Sequence, residues 1–151
     1  MSEAVELRRG GPSDAAAIQD LTRQAYAKWI PVIGREPVPM TADYAQAVLR
    51  HRFDLLYAEG MLAALIETIA RADHLLIENV AVAPHFQRRG FGRRLLAHAE
   101  DVAAASGFSE VRLYTNKRFA GNVALYRKAG YRVDREEEFR GGVTVHMSKP
   151  L

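Results

Sequence analysis

The sequence predicts an α/β fold in which a sheet of mixed direction carries helices on its faces, and three observations lead there. The spacing of apolar residues changes along the chain, from helical over residues 15–52 to strand-like over 53–82 and back again after Gly90. The three strand-like runs in the middle are joined only by Glu59-Gly60 and by Arg71-Ala-Asp73, connections short enough for an antiparallel meander. The later helical runs each stop at a glycine and are followed by another strand-like run. The resulting order, β-α-α-β-β-β-α-β-α-β-β, argues for an α/β sheet of mixed direction with helices on its faces.

Taken in order, Val5-Glu-Leu-Arg alternates and opens the sheet. Gly10-Gly-Pro-Ser-Asp breaks that strand and starts a helix over residues 15–29, with Ile18, Leu21, Ala25 and Trp29 at helical spacing. Pro31, Gly34, Pro37 and Pro39 predict an irregular loop, and Thr41 is the expected cap of a second helix over 42–52. Strands are expected at 53–58, 61–70 and 74–82, the last ended by Pro84. A long helix follows over 90–106, with Leu95, Ala99 and Val102 facing inward. A strand at 111–115, a helix at 122–128 and two strands at 131–140 and 143–148, turning at Gly141-Gly142, complete the chain. No repeat, low-complexity tract or linker interrupts it, so residues 1–151 read as one domain.

Composition narrows the chemistry. The chain has no cysteine, which closes disulfides, thiolate metal sites and an acyl-cysteine route, and suits a reducing cytoplasm. The N-terminus lacks a basic segment followed by an apolar one, and no apolar run approaches the roughly 20 residues of a membrane span. A cytoplasmic location without membrane attachment is therefore expected. His51, His74, His85, His98 and His146 show no paired ligand spacing, so no metal is expected. The net charge of +3 matters less than its placement, because Arg88, Arg89, Arg93 and Arg94 crowd one segment.

That segment is the most informative in the chain. Val80-Ala-Val-Ala-Pro-His-Phe runs from an apolar strand into Gln87-Arg-Arg-Gly-Phe-Gly92, which opens the long helix. A helix N-terminus offers unpaired N–H groups and the positive end of the macrodipole, and therefore attracts anions. Gly90 and Gly92 let backbone approach a ligand, and the arginines add charge and forked donors. Together they suit a diphosphate. A Rossmann loop would need a small residue where Leu95 stands, and the Gly-Lys-Ser/Thr of a P-loop is absent. Solvated arginines at an ordinary helix start are the alternative.

Gln87-Arg-Arg-Gly-Phe-Gly92 resembles the Gln/Arg-x-x-Gly-x-Gly/Ala signature of the GNAT superfamily of N-acetyltransferases. The likeness extends upstream through Leu76-Ile-Glu-Asn-Val-Ala-Val-Ala-Pro84. Downstream it extends through Leu113-Tyr-Thr-Asn116 and Asn122-Val-Ala-Leu-Tyr-Arg-Lys-Ala-Gly-Tyr131, so that motif-level similarity covers residues 74–132. The resemblance implies a GNAT-type sheet, mixed and mostly antiparallel, of six to seven strands, with helices on both faces and a splayed parallel strand pair at the coenzyme site. It implies transfer of an acetyl group from acetyl-CoA, as cosubstrate, to a primary amine of a small molecule or peptide, by direct attack in a ternary complex. The coenzyme residues it implies are Val80, Ala81 and Val82 along the strand and Gln87, Arg88, Arg89, Gly90, Phe91, Gly92 and Arg93 in the loop, with Asn122 and Tyr126 beyond. The amide of Val80 or Val82 is the implied oxyanion donor. Dimers are common in the family, so a homodimer is implied too, although the sequence displays no interface.

Aminolysis of a thioester needs a neutral amine, donors for the developing oxyanion and a proton at the departing sulfur. Tyr126 matches the family tyrosine that reaches the sulfur, and a phenol of ordinary pKa about 10 keeps its proton at neutral pH; a core tyrosine is the other reading. Glu78 interrupts the apolar run 75–82 and is the candidate base, with a β-bulge as the device that would aim it and Asn79 at the cleft. A carboxylate tied to an arginine on the neighbouring strand is the alternative, and Glu67 and His74 are further candidates. Tyr26, Trp29, Tyr44 and the proline-rich loop 31–40 would line the acceptor side, unless the aromatics are core. Lys117-Arg118 and Arg127-Lys128 could reach the adenosine phosphates. A non-catalytic acetyl-CoA sensor would keep the loop without needing Tyr126 or Glu78. Nucleic acid is not an expected partner, because the arginine cluster lacks interleaved aromatics beyond Phe86 and Phe91.

Overall fold

A computed structural model describes residues 4–151; residues 1–3, the start of the domain read from the sequence, lie outside the described residues. Strand β1 (Val5–Arg9) leads into helix α1 (Ala15–Tyr26), followed by α2 (Ile30–Ile33), α3 (Val38–Thr41) and α4 (Tyr44–Arg50). Strands β2 (Arg52–Ala58), β3 (Met61–Ala70) and β4 (Leu75–Val82) form the meander. Then come α5 (Phe91–Ala105), β5 (Glu110–Asn116), α6 (Ala120–Lys128), β6 (Arg132–Phe139) and β7 (Gly142–Pro150). The strands make one seven-stranded sheet in the order β1-β2-β3-β4-β5-β7-β6. Every neighbouring pair is antiparallel except β4 and β5. The mixed, mostly antiparallel sheet expected from the sequence is the one found.

Local chemistry moves several boundaries. The first helix stops at Tyr26 and passes through a 3₁₀ turn at Ala27–Trp29, because Pro31 cannot donate into a continuing helix and instead sits in the first turn of α2. Pro39 does the same in α3, so the loop expected to be irregular holds two single-turn helices. The cap of α4 is Asp43, whose carboxylate accepts from the Gln46 amide, and not Thr41, whose hydroxyl donates to the Val38 carbonyl at 2.9 Å. The final hairpin turns at Arg140-Gly141, both with positive φ, and Gly142 already pairs with Phe139.

Two apolar cores sit on opposite faces of the sheet. Helix α5 buries Phe91, Leu95, Leu96, Ala99 and Ala103 against Ile66, Ile77, Val111 and Met147, and Tyr126 of α6 joins that face. Helix α1 buries Ile18, Leu21, Ala25 and Tyr26 against Phe53, Leu55, Leu65 and Ala81 on the other. A fully buried leucine such as Leu95 contributes about 2 kcal/mol by removal from water, which is what holds the helices to the sheet.

Strand β4 changes character halfway. Thr68 of β3 pairs with Ile77 and the next residue, Glu67, pairs with Asn79, so Glu78 is an extra residue, a β-bulge. The bulge resets the alternation: Leu75, Ile77 and Val80 face the α5 core, whereas Ala81 faces the α1 core. Parallel pairing with β5 runs from Leu75↔Val111 to Ile77↔Leu113 and stops at the bulge.

Candidate active site

Beyond Ile77 the two parallel strands separate inside the sheet. Ala83 N–H donates to the Ala63 carbonyl, which sets the phase of the antiparallel ladder with β3. By alternation Ala81 points its amide at β3, while the amides of Val80 and Val82 point into the gap. Ala81, one of the expected coenzyme residues, has its side chain buried in the α1 core and its N–H used by the sheet. Unpaired strand edges in a sheet interior are a template for another extended chain.

The loop after β4 closes one end of the gap. The Gln87 amide donates to the Val82 carbonyl at 3.1 Å and its oxygen accepts from Lys28 Nζ, which ties the loop to both strand and N-terminal segment. Arg88 has φ 65° and Gly90, the N-cap of α5, has φ 81°, so the chain turns through left-handed backbone into the helix. No side chain caps α5, which leaves the amides of Phe91, Gly92 and Arg93 open. Gly92 works differently from the expectation of ligand approach alone. A Cβ there would lie 3.1 Å from Leu125 Cδ2, so its absence lets α5 and α6 pack closely. Arg89 pairs with Glu59 at 3.0 Å and lies over the Phe86 ring, while Arg88 and Arg93 are exposed. Lys117 and Arg118 are held elsewhere, by Glu136 and by the Val32 carbonyl.

A cleft of about 410 Å³ runs through the gap, between β4 and β5 on one side and α4 with the 33–39 segment on the other. Glu78 lines it, and its carboxylate accepts from the Tyr114 hydroxyl at 2.5 Å across the opening, not from an arginine. Burial and this bond raise the Tyr114 phenol well above its ordinary range. Tyr126, 6% exposed, also borders the cleft, and burial pushes its pKa up to about 12. Its hydroxyl makes no hydrogen bond among the described residues, and it is not fully enclosed.

The cleft wall is a polar network on the α1 side. Tyr26 donates to Asn79 Oδ1 at 2.9 Å, and Asn79 Nδ2 reaches Thr22 and the Tyr44 hydroxyl, which itself donates to the Pro39 carbonyl at 2.6 Å. Burial raises both tyrosines well above the usual phenol value. Next to them Glu67, 4% exposed, bonds His51 Nδ1 at 2.7 Å, and burial raises its carboxyl against the opposing pull of His51.

Glu78, Val80, Tyr126, Tyr26 and Tyr44 thus converge on one cleft. Trp29 does not; it stacks on Phe119 at 4.9 Å, outside the lining. Asn122 is also outside it, and at the start of α6 the residue that lines the cleft is Phe119. His74 pairs with Asp73 at the far end of β4. Among the described residues no group of three or more potential ligands could hold a metal ion. Sequence reading missed Tyr114 as the partner of Glu78, and Asn79 as the hub of the tyrosines. Neither carried a local signal, because both contacts depend on which strands and helices face each other.

Residues 17–131 match the model of the acetyltransferase (GNAT) family. The chain belongs to the GNAT acetyltransferase family. This GNAT chain is 37% identical over 76 residues, half of it, to the ribosomal protein bS18-alanine N-acetyltransferase of Salmonella typhimurium. That alignment spans 51% of the relative's length. It is 33% identical over 129 residues, 77% of the chain, to an amino-acid acetyltransferase of Neisseria meningitidis, of which the match spans 28%. Its fold is that of the PaiA N-acetyltransferase from Thermoplasma acidophilum, solved in complex with coenzyme A: TM-score 0.85, 98% and 99% of the two chains covered, 19% identity.

Proposed function

We propose that this GNAT protein is an N-acetyltransferase that moves an acetyl group from acetyl-CoA to a primary amine by direct attack in a ternary complex. One observation carries the proposal: where β4 and β5 separate, one cleft is lined by Val80, the Glu78 carboxylate and the free Tyr126, and β4 runs on from it to the uncapped start of α5.

The residues present fit the coenzyme. The open amides of Phe91, Gly92 and Arg93 would hold its diphosphate, with Gly90 offering no Cβ and with Gln87, Arg88, Arg89 and Arg93 around them. The amides of Val80 and Val82 would pair with the amide-bearing pantetheine arm as with a strand. The coenzyme supplies the acetyl group as a thioester. Glu78, directly or through one water, takes the proton from the acceptor ammonium so that a lone pair is exposed. The Val80 amide donates toward the oxygen on which negative charge gathers. Tyr126, protonated at any working pH because of its raised pKa, donates at the sulfur. Full transfer from such a phenol to a thiolate of ordinary pKa about 8.5 is uphill, so a hydrogen bond to the leaving sulfur is the larger part of its role.

Calorimetric titration of the folded chain with acetyl-CoA, then free-thiol release with a panel of primary amines, tests the reading. Binding heat and amine-dependent thiol release are expected, and Tyr126→Phe should lower kcat on the order of a hundredfold with little change in coenzyme affinity. Absence of binding heat would overturn the coenzyme site, and an unchanged kcat would remove Tyr126 from the mechanism.

A further inference from the structure

The acceptor half of the cleft has a charge pattern that an amine alone does not use. Glu78 and Glu67 lie on the strand side. Opposite them, the lining includes Arg35, from the segment between α2 and α3, and Arg50, from the last turn of α4. Neither guanidinium has an ion pair or hydrogen bond among the described residues.

Arg35 is not loose on a floppy loop. The segment around it is tied down by Arg118 to the Val32 carbonyl, by Arg23 to Glu36 and to the Met40 carbonyl, and by Tyr44 to the Pro39 carbonyl. Glu36, the adjacent carboxylate, is spent on Arg23 and leaves Arg35 alone. A half-buried guanidinium loses hydration without a compensating partner, a cost that a bound anion would offset. Arg50 shares a stripe of α4 with Gln46 and Ala47, at helical spacing toward the cleft. The one carboxylate on that stripe, Asp43, caps the helix two turns away, about 10 Å along the axis.

We propose that the acceptor is a zwitterion of the amino-acid type, its amine presented to Glu78 and its carboxylate held by Arg35 with help from Arg50. The inference rests on the N-acetyltransferase reading and narrows it, because a polyamine or simple alkylamine would leave both arginines unmatched.

The test uses the full chain with acetyl-CoA and pairs of probes, each free L-amino acid beside its own amide, read by thiol release. The expected result is at least one amino acid whose kcat/KM exceeds that of its amide by on the order of tenfold to a hundredfold. Arg35→Gln should collapse this ratio toward one, and Arg50→Gln should reduce it by less. Amides turned over as well as or better than the acids, or a ratio that survives both substitutions, would overturn the inference and leave the acetyltransferase reading standing. No acetylation of any probe, acid or amide, would overturn the inference, while the acetyltransferase reading would fall only if acetyl-CoA also gave no binding heat and the wider amine panel no thiol release.

Discussion

The two halves of β4 obey different rules within eight residues. From Leu75 to Ile77 the strand is paired on both sides, by β3 and β5, and reads as ordinary sheet interior. From Asn79 to Val82 it is paired on the β3 side only, and its other edge faces a cleft. One inserted residue separates the halves. A bulge increases local twist and bends the strand away from its neighbour, which opens the sheet without exposing either core. The cleft thus arises where strand pairing is withheld, and Glu78 is both the inserted residue at that opening and a carboxylate that lines it.

Deletion of Glu78 should have the largest effect. Removal of the extra residue leaves Ile77 and Val80 on the α5 side and Ala81 on the α1 side, so both cores keep their inward residues. The expected outcome is cooperative unfolding retained in circular dichroism and acetyl-CoA binding abolished in calorimetry, because β4 can now pair further along β5. Retained coenzyme binding would show that the gap does not depend on the bulge.

A milder effect is expected at the start of α5. An alanine Cβ at Gly90 meets no protein atom within 4 Å, yet φ 81° is a conformation that alanine avoids at a cost of about 1 kcal/mol. Gly90→Ala should lower unfolding free energy by about that amount in urea titration. A loss of coenzyme affinity clearly larger than the matching fivefold or so would then report contact between the loop and the ligand.

The smallest effect concerns Glu67, paired with Asn79 just past the bulge. Its carboxyl is raised above the ordinary 4.5 mainly by burial, so the folded state holds its proton more tightly than the unfolded chain does. That contribution to stability is fully present below the unfolded value and is lost as pH rises through the raised one. Glu67→Gln removes the titration. Urea unfolding across this interval should show wild type losing stability relative to the variant as pH climbs, and parallel curves would deny the shift.

Much of this was legible beforehand because it is local. Gly60 and Gly90 mark turns, the long helix carries its own periodicity, and a glutamate amid apolar residues announced a bulge before any strand was placed. Other placements were set by packing. Trp29 sits at helical spacing with the α1 core residues, but Pro31 breaks the helix and turns the indole onto Phe119. Asn122 and Phe119 lie within one turn of each other, and only packing decided that the phenylalanine faces the cleft.

Most of the elements, the glycine-bearing loop that opens α5 and the bulge position of Glu78 follow from local sequence, since turn chemistry, periodicity and an isolated charge act over a few residues. The long-range packing sets the rest: Tyr114 meets Glu78, Asn79 gathers Tyr26 and Tyr44, and Arg35 and Arg50 share a cleft with Asp43, Glu67 and Glu78. The hydrogen-bonded pairs among these lie 35 to 53 residues apart, and their partners follow from strand order and register, which one residue more or less in β4 would change.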